Sequence, residues 1–232
     1  MNSLNFNQQR VLILAPHADD ETIGCGGIIQ KFLKNNSSIR VVIASFVLGQ
    51  YTKYKKKLAK YELYSGSERL KELQAAMQIL GVADYHFLYT DTAMPMYHSR
   101  LDTIPKVDLV AKIESHIQEF QPTIVILPSK TKHQDHLVLH EAGITSCRPY
   151  FWNGSIFVYE TDGEITFEPN LFLPLAEEEL QVKMQALAAY QTQIGEECHP
   201  VHPKSIRIKA QFRGQAIYSE YAEAFQMIRL HG

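Results

Sequence analysis

Long hydrophobic runs are missing from this chain of 232 residues. Its apolar runs are short, as in Val11–Pro16 and Thr123–Pro128, whereas a helix that crosses a bilayer needs roughly 20 apolar residues. The N-terminal segment Met1–Arg10 is polar and has no apolar core of a secretory signal. We therefore expect a cytoplasmic protein without a membrane span.

Cysteine is scarce as well. Cys25, Cys147 and Cys198 are odd in number, widely spaced and form no Cys-x-x-Cys pair. This pattern indicates neither a disulfide framework nor a zinc site built from thiolates. Cys25 has no histidine beside it in the sequence, so we expect it to be a small core residue.

The chain also lacks a strong excess of charge of either sign. Its formal net charge is −2 and its pI is near 6.5, which argues against general nucleic-acid binding. With 45% hydrophobic and 21% charged residues, the composition is that of a folded globular protein rather than a disordered one. The length suits one domain and no repeat or linker divides it, so we interpret residues 1–232 as a single domain.

Short apolar runs alternate with segments of helical periodicity. Runs typical of strands buried on both faces are Val11–Ala15, Arg40–Phe46 and Thr123–Leu127, with His86–Tyr89 as a shorter candidate. Helices are predicted over Thr22–Asn35, Ser67–Leu80 and Val107–Phe120. This alternation predicts an α/β, Rossmann-like three-layer fold with a mostly parallel sheet. In the less regular C-terminal third we predict strands at Ile156–Tyr159 and Ile206–Phe212, and a helix over Glu177–Gln191.

Two clusters rich in histidine and aspartate directly follow two of the predicted strands. The first, PHADDE, occupies residues 16–21, and the second, KHQDH, occupies residues 132–136. In a parallel sheet of this type the ligand site lies outside the carboxyl ends of the strands. The two clusters can therefore meet at one edge of the sheet, although they are far apart in sequence.

The residue types in these clusters suit a catalytic metal. Imidazole and carboxylate groups are ligands of zinc, and a catalytic zinc usually takes three protein ligands and a water. Of the neighbours Asp19 and Asp20, one can bind metal while the other faces the water as a base. Likewise, one of His133 and His136 can bind metal while the other, held by a carboxylate, moves protons or stabilises an oxyanion. The alternative is that one aspartate caps the following helix, although capping needs a single carboxylate.

At these residues the sequence resembles the PIG-L/LmbE-like de-N-acetylase family, which are zinc-dependent hydrolases that remove acetyl groups from N-acetylglucosamine-type substrates. The family motif (P/A)HPDDE corresponds to residues 16–21, and HPDH corresponds to residues 133–136. The similarity continues in the helix that contains Arg69, in residues 190–193 (YQTQ) and in residues 221–225 (YAEAF). It therefore spans nearly the whole chain.

The resemblance implies a role for each site residue. The ligands of one Zn²⁺ ion would be His17, Asp20 and His136. Asp19 would be the general base that activates the attacking water. His133, paired with Asp135, would be the protonated partner that stabilises the oxyanion and assists departure of the amine. Arg69 would help to anchor the substrate.

Three positions depart from the family pattern. Ala18 and Gln134 replace prolines that only shape the two loops. Some family members carry a tyrosine two residues before the equivalent of His133, where it polarises the amide carbonyl. Thr131 occupies that position here, so this helper is either absent or supplied from elsewhere.

Other polar features have plainer interpretations. The lysine-rich run within residues 53–60 is either a solvated loop or a lid that meets a substrate phosphate. We expect His140 to be a buried helix histidine or to lie behind the metal ligands. His199 and His202 are each followed closely by proline, and we interpret them as structural residues or as part of the substrate rim.

The sequence thus predicts an amidohydrolase that acts on an acetylated amino sugar or glycoconjugate, with no nucleic acid as partner. Two alternatives stay open at this point. One is a phosphoesterase that uses two divalent ions, and the other is a Rossmann-like binding module without catalysis. The aglycone of the substrate is not specified by the sequence, and homo-oligomerisation is left open.

Overall fold

The computed structural model describes residues 4–55, 60–90, 100–161, 167–197 and 199–231, and the side chains of residues 51–61 lie outside this description. In chain order the elements are β1 (Arg10–Ala15), α1 (Asp20–Lys34), β2 (Ser38–Phe46), β3 (Gln50–Lys55), β4 (Lys60–Ser65), α2 (Gly66–Leu80), β5 (Asp84–Thr90), a short 3-10 helix (Leu101–Thr103), α3 (Lys106–Phe120), β6 (Ile124–Pro128), α4 (Gln134–Ser146), β7 (Ser155–Tyr159), β8 (Leu171–Leu175), α5 (Glu177–Ala188), α6 (Pro203–Gln215) and β9 (Tyr221–Arg229).

A seven-stranded sheet in the order β5-β2-β1-β6-β7-β9-β8 forms the centre of the molecule. The five strands from β5 to β7 are parallel, and β9 is antiparallel to both β7 and β8. The predicted α/β fold with a mostly parallel sheet is confirmed. None of the helices in the described parts of the chain is long and apolar enough to span a bilayer.

Both faces of the sheet are covered, as the continuous apolar strands predict. Val11, Ile13 and Ala15 of β1 point into a core layer shared with α1, α2 and α5. Leu12 and Leu14 point into the opposite layer, which is shared with α3 and α4. Because β1 is buried on both faces, its position is fixed, and residue 16 therefore lies at a fixed point at the carboxyl-terminal edge of the sheet.

The glycines of α1 allow the helix to approach the sheet closely. A Cβ atom on Gly24 would lie 2.0 Å from the Tyr159 ring, and one on Gly27 would lie 2.5 Å from Leu175. Cys25 between them is fully buried, in agreement with its predicted core position. Small residues therefore fix the distance between α1 and the sheet.

The prediction of a strand at Ile206–Phe212 is wrong, because these residues lie in α6. Pro203 occupies the first turn and the His202 side chain accepts the backbone N–H of Lys204, so the helix begins there. Alternate apolar residues imitate a strand, yet the buried Ile206 lies one helical turn from the buried Ala210, while Phe212 is exposed. The last strands of the sheet are instead β8 and β9.

Two parts of the segment with the lysine run, β3 and β4, pair in antiparallel register, where the sequence predicts either a solvated loop or a lid. Residues 56–59 between them lie outside the described residues. The lysine side chains lie outside the described residues, so their predicted contact with a substrate phosphate stays a prediction. Cys198 also lies outside the described residues, so its predicted lack of a disulfide partner stays a prediction.

A buried ion pair joins α1, α5 and β9. Lys183 Nζ lies 2.6 Å from Glu223 Oε1, and both side chains are buried. The Glu223 carboxylate also accepts the backbone N–H groups of Gly27 at 2.8 Å and Ile28 at 2.7 Å. Removing the carboxylate charge would leave a buried ammonium without its counter-charge.

We expect Glu223→Gln to lower the free energy of unfolding by about 3–5 kcal/mol. The matched control is Glu177→Gln, which breaks an exposed ion pair with Arg207 and should cost less than about 1 kcal/mol. Urea unfolding of both variants measures the difference. Equal losses in the two variants would contradict a stabilising role of the buried pair.

Candidate active site

The topology of the sheet brings the two predicted clusters together. β1 and β6 are parallel neighbours, so their carboxyl ends lie side by side. The residues after β1 lead directly into α1, and the residues after β6 lead into α4. Both clusters therefore stand at helix N-termini on the same edge of the sheet, where the sequence predicts the site.

One ligand atom from each of three residues, His17, Asp20 and His136, faces a common position, which we call the metal point. These atoms all lie within 4.8 Å of one another. Asp20 Oδ2 is 3.3 Å from His17 Nδ1 and 3.5 Å from His136 Nε2. Ligand atoms of a tetrahedral zinc site with bonds of about 2.0–2.1 Å are spaced by roughly 3.3 Å. The donor set and its spacing therefore fit a divalent metal, and the three residues are those that the resemblance implies.

Asp135 holds the ring of His17 in this orientation. The Asp135 carboxylate is fully buried, lies 2.9 Å from His17 Nε2 and accepts the backbone N–H of Leu101 at 2.9 Å. A carboxylate on one ring nitrogen leaves the other, Nδ1, directed at the metal point. The sequence interpretation paired Asp135 with His133, and this is corrected: in the structure the Asp135 carboxylate belongs to His17.

His133 meets Asp135 through the backbone instead. His133 is the N-cap of α4, and its Nδ1 accepts the backbone N–H of Asp135 at 3.2 Å. Partial burial, aided by the nearby His17, lowers the pKa of His133. An accepting Nδ1 leaves Nε2 as the ring nitrogen that can donate. The protonated His133 that the resemblance implies stays a prediction.

Opposing charges dominate the electrostatics around the metal point. Burial alone would lower the pKa of His17, but hydrogen bonds to Asp135 and Asp20 outweigh it and raise this pKa to about 10. Burial alone would raise the pKa of Asp20, but His136 and His17 outweigh it and lower this pKa. The two carboxylates thus favour a positive charge at this point, which is also what a divalent cation supplies.

A second trio, His17, His133 and Asp135, also lies within 4.8 Å. It shares His17 with the first trio, and its Asp135 carboxylate is already engaged by the N–H of Leu101. An ion there would compete with the hydrogen bond between Asp135 Oδ2 and His17 Nε2. The number of bound ions stays a prediction.

Asp19 stands beside the metal point with its carboxylate uncommitted to capping. It occupies the N-cap position of α1, but its side chain makes no capping hydrogen bond, so the capping alternative does not explain it. Its backbone has a φ of 137°, a region that non-glycine residues rarely adopt. Burial and the neighbouring Asp20 raise the pKa of Asp19, while Arg69 opposes the shift.

A cavity of about 370 Å³ opens at this point. The described residues that line it include His17, Asp19, Asp20, Thr131, Lys132, His133, His136, Gln193, His199 and Val201. His199 is thus part of the rim, one of the two interpretations that the sequence offered. His140 is buried, and its Nδ1 lies 2.7 Å from the Pro128 carbonyl, so it is the predicted helix histidine behind the site.

Arg69 lies on α2 beside the loop that follows β1. Its side chain is buried and is not among the described residues that line the cavity. The guanidinium donates to the carbonyl of Ala18 at 2.5 Å and pairs with Glu72 at 3.1 Å. It therefore holds the loop after β1, and its predicted help in anchoring the substrate stays a prediction.

Residue-level reasoning also missed two buried residues, Glu21 and Tyr190. The Tyr190 hydroxyl donates to the Glu21 carboxylate at 2.6 Å, and that carboxylate accepts the backbone N–H of Asp19 at 3.1 Å. Both residues lie in motifs that the resemblance covers, namely residues 16–21 and 190–193. Their place in these motifs indicates that they matter, but no sequence signal indicates that they contact one another.

Residues 12–147 match the profile of the family described as GlcNAc-PI de-N-acetylase, PIG-L. The chain belongs to the PIG-L family. The resemblance predicted from the two motifs is thereby confirmed. Deacetylases of this type are generally metal-dependent, in keeping with the histidine and aspartate trio.

Individual members of the PIG-L family are similar to the chain over different lengths. Diacetylchitobiose deacetylase of Thermococcus kodakarensis is 27% identical over 96% of this chain and 85% of its own length. Probable N-acetyl-alpha-D-glucosaminyl L-malate deacetylase 2 of Bacillus cereus is 31% identical, but the match covers 56% of each chain.

Solved structures agree with the fold. N,N'-diacetylchitobiose deacetylase from Pyrococcus horikoshii superposes with a TM-score of 0.68 at 25% identity, over 95% of this chain and 84% of that one. The conserved protein TT1542 from Thermus thermophilus superposes with a TM-score of 0.74 at 19% identity, over 97% of both chains. At that lower identity the likeness supports the fold alone.

Proposed function

We propose that this chain is a metal-dependent hydrolase that removes the N-acetyl group from an N-acetylglucosamine-type sugar or conjugate. The observation that carries the proposal is the meeting of His17, Asp20 and His136 at one cavity, with Asp19 beside them. The relatives named above are deacetylases of acetylated amino sugars, which supports the substrate class. Water adds to the acetamide carbonyl, the C–N bond breaks, and acetate and a free amine leave.

Each residue of the site has a separate role in this reaction. His17, Asp20 and His136 would hold the cation, which when bound polarises the acetamide carbonyl as a Lewis acid. Asp19 accepts the proton of the attacking water, since its carboxylate lines the cavity and is free of capping bonds. His133 donates from Nε2 to the developing oxyanion, because its Nδ1 is occupied as an acceptor.

Zinc, one ion per chain, is the proposed metal, since two imidazoles and a carboxylate are typical of catalytic zinc sites. Chelation with dipicolinate should abolish acetate release, and one equivalent of Zn²⁺ should restore it. Metal analysis after reconstitution should give one ion per chain. Two bound ions with a preference for Mg²⁺ or Mn²⁺ would contradict this assignment and favour the phosphoesterase.

Acetate release from a panel of free, phosphorylated, nucleotide-linked and lipid-linked N-acetylglucosamine compounds tests the reaction itself. We expect at least one compound to yield equal amounts of acetate and free amine. Hydrolysis of bis-p-nitrophenyl phosphate without acetate release would favour a phosphoesterase. Absence of both reactions in the metal-loaded protein would favour a non-catalytic binding module.

Three further predictions from the sequence belong to this proposal. The chain would act as one catalytic domain over residues 1–232, it would work in the cytoplasm, and it would need no nucleic acid. Size-exclusion chromatography with light scattering would determine whether it also forms a homo-oligomer.

A further inference from the structure

The residue assigned as the base has an unusual backbone. Asp19 combines a φ of 137° with a ψ of −32°, a combination that glycine adopts readily and other residues do not. Such a conformation persists only where the surrounding structure holds it in place. The contacts of the Asp19 backbone therefore identify the residues that orient its carboxylate.

A buried chain of hydrogen bonds supports this backbone from one side. The Asp19 N–H donates to Glu21 Oε2 at 3.1 Å, and Glu21 Oε1 accepts the hydroxyls of Tyr190 and Thr22, each at 2.6 Å. Glu21, Thr22 and Tyr190 all have 0% exposure. Burying a carboxylate is costly unless donors surround it, and here three donors converge on Glu21.

The other side of the loop is held by Arg69. Its guanidinium donates to the carbonyl of Ala18, the residue before Asp19, and lies 5.6 Å from the centre of the Tyr190 ring. Tyr190 thus contacts Glu21 through its hydroxyl and Arg69 through its ring. Neither Tyr190 nor Glu21 is among the described residues that line the cavity, so neither is placed to touch a substrate.

We infer that Tyr190 and Glu21 are positioning residues, which hold the strained Asp19 backbone so that its carboxylate faces the attacking water. This inference rests on the proposed function, because it concerns the base of that reaction. A misplacement of about 1 Å in a catalytic group can cost 10²-fold in rate. The hydroxyl of Tyr190 therefore matters for kcat although it is remote from the cavity.

The test compares two variants that each remove one buried hydroxyl. Tyr190→Phe cuts the chain to Glu21, while Tyr159→Phe removes a hydroxyl that lies 3.3 Å from the Leu14 carbonyl and has no bond to Glu21. In the zinc-loaded enzyme we expect Tyr190→Phe to lower kcat by roughly 10–100-fold with KM within twofold. Tyr159→Phe should leave both constants within about twofold, and both variants should keep the metal content of the unaltered enzyme.

Two further measurements separate positioning from general destabilisation. In an Asp19→Asn background, Tyr190→Phe should cause no additional loss of the residual kcat, since its effect passes through the Asp19 carboxylate. In the metal-free full chain, hydrogen exchange of the Asp19 amide should be at least tenfold faster in Tyr190→Phe than in Tyr159→Phe. Should Tyr190→Phe fail to fold, Glu21→Gln replaces it with the same expectations.

Equal kcat and equal Asp19 exchange in the two tyrosine variants would overturn the inference. So would a full, multiplicative loss from Tyr190→Phe in the Asp19→Asn background. Failure of the proposed function has a different signature, in which the unaltered, metal-loaded protein releases no acetate. The exchange measurement is informative in that case too, because it does not depend on turnover.

Discussion

Replacement of Asp19 by asparagine should lower kcat by about 10²–10⁴-fold while the protein keeps its metal. Asparagine has the same shape as aspartate and, like it, tolerates positive φ better than most residues, so the backbone at φ 137° is preserved. What it cannot do is accept a proton from water. Asp19 is not one of the three proposed ligands, and its side chain makes no capping bond, so neither metal binding nor α1 should suffer.

Steady-state acetate release and metal analysis of the same preparation check this result. The control is Asp102→Asn, which removes the charge of an exposed aspartate paired with Arg100 and should leave kcat within about twofold. An Asp19→Asn variant that turns over at the rate of the unaltered enzyme would refute the assignment of the base. Loss of metal together with activity would instead make Asp19 a ligand.

Replacement of His136 by alanine should abolish both metal binding and activity. His136 is buried on α4, and its Nε2 lies 3.5 Å from the Asp20 carboxylate at the metal point. Removing a direct ligand should weaken metal binding by more than the roughly 10–100-fold that loss of a supporting residue costs. We expect no detectable acetate release at stoichiometric Zn²⁺.

The matched control is His140→Gln, which changes a buried histidine one helical turn further along α4. His140 is bonded to the Pro128 carbonyl and belongs to neither ligand trio. This variant should retain one ion per chain and measurable activity. Competition with a chromophoric chelator gives the affinities, and an unchanged Zn²⁺ affinity in His136→Ala would exclude His136 as a ligand.

Much of this site could be predicted because its position follows from the sheet. The run at residues 11–15 is apolar throughout, which identifies a strand buried on both faces. The run at residues 124–128 has the same character. Once both are strands of one parallel sheet, their carboxyl ends share an edge, and the polar clusters that follow must be close.

Partners within the site could not be predicted from sequence spacing. Asp135 lies in the second motif with His133, yet its carboxylate reaches across to His17 from the first. The partner of the Asp135 carboxylate depends on the direction in which α4 leaves the sheet, and this direction cannot be inferred from the spacing of the residues. The contact of Arg69 with the loop after β1 could not be predicted either, because the carbonyl of Ala18 lies within its reach only after α2 has packed.

The apolar periodicity gave the wrong secondary structure where a strand pattern and a helix pattern overlap. In residues 206–212, apolar residues at every second position fit a strand, and the pair Ile206 and Ala210 fits a helix equally well. Proline in the first helical turn and the capping side chain of His202 decide for the helix. Local capping chemistry was thus the better guide than the apolar pattern.

A crystal structure of the zinc-reconstituted protein, with diffraction recorded on both sides of the zinc absorption edge, tests the proposed metal site most directly. We expect one anomalous peak per chain, within about 2.0–2.2 Å of His17 Nδ1, an Asp20 carboxylate oxygen and His136 Nε2. A peak elsewhere, or a fold in which these three atoms stay out of reach of one ion, would contradict this assignment.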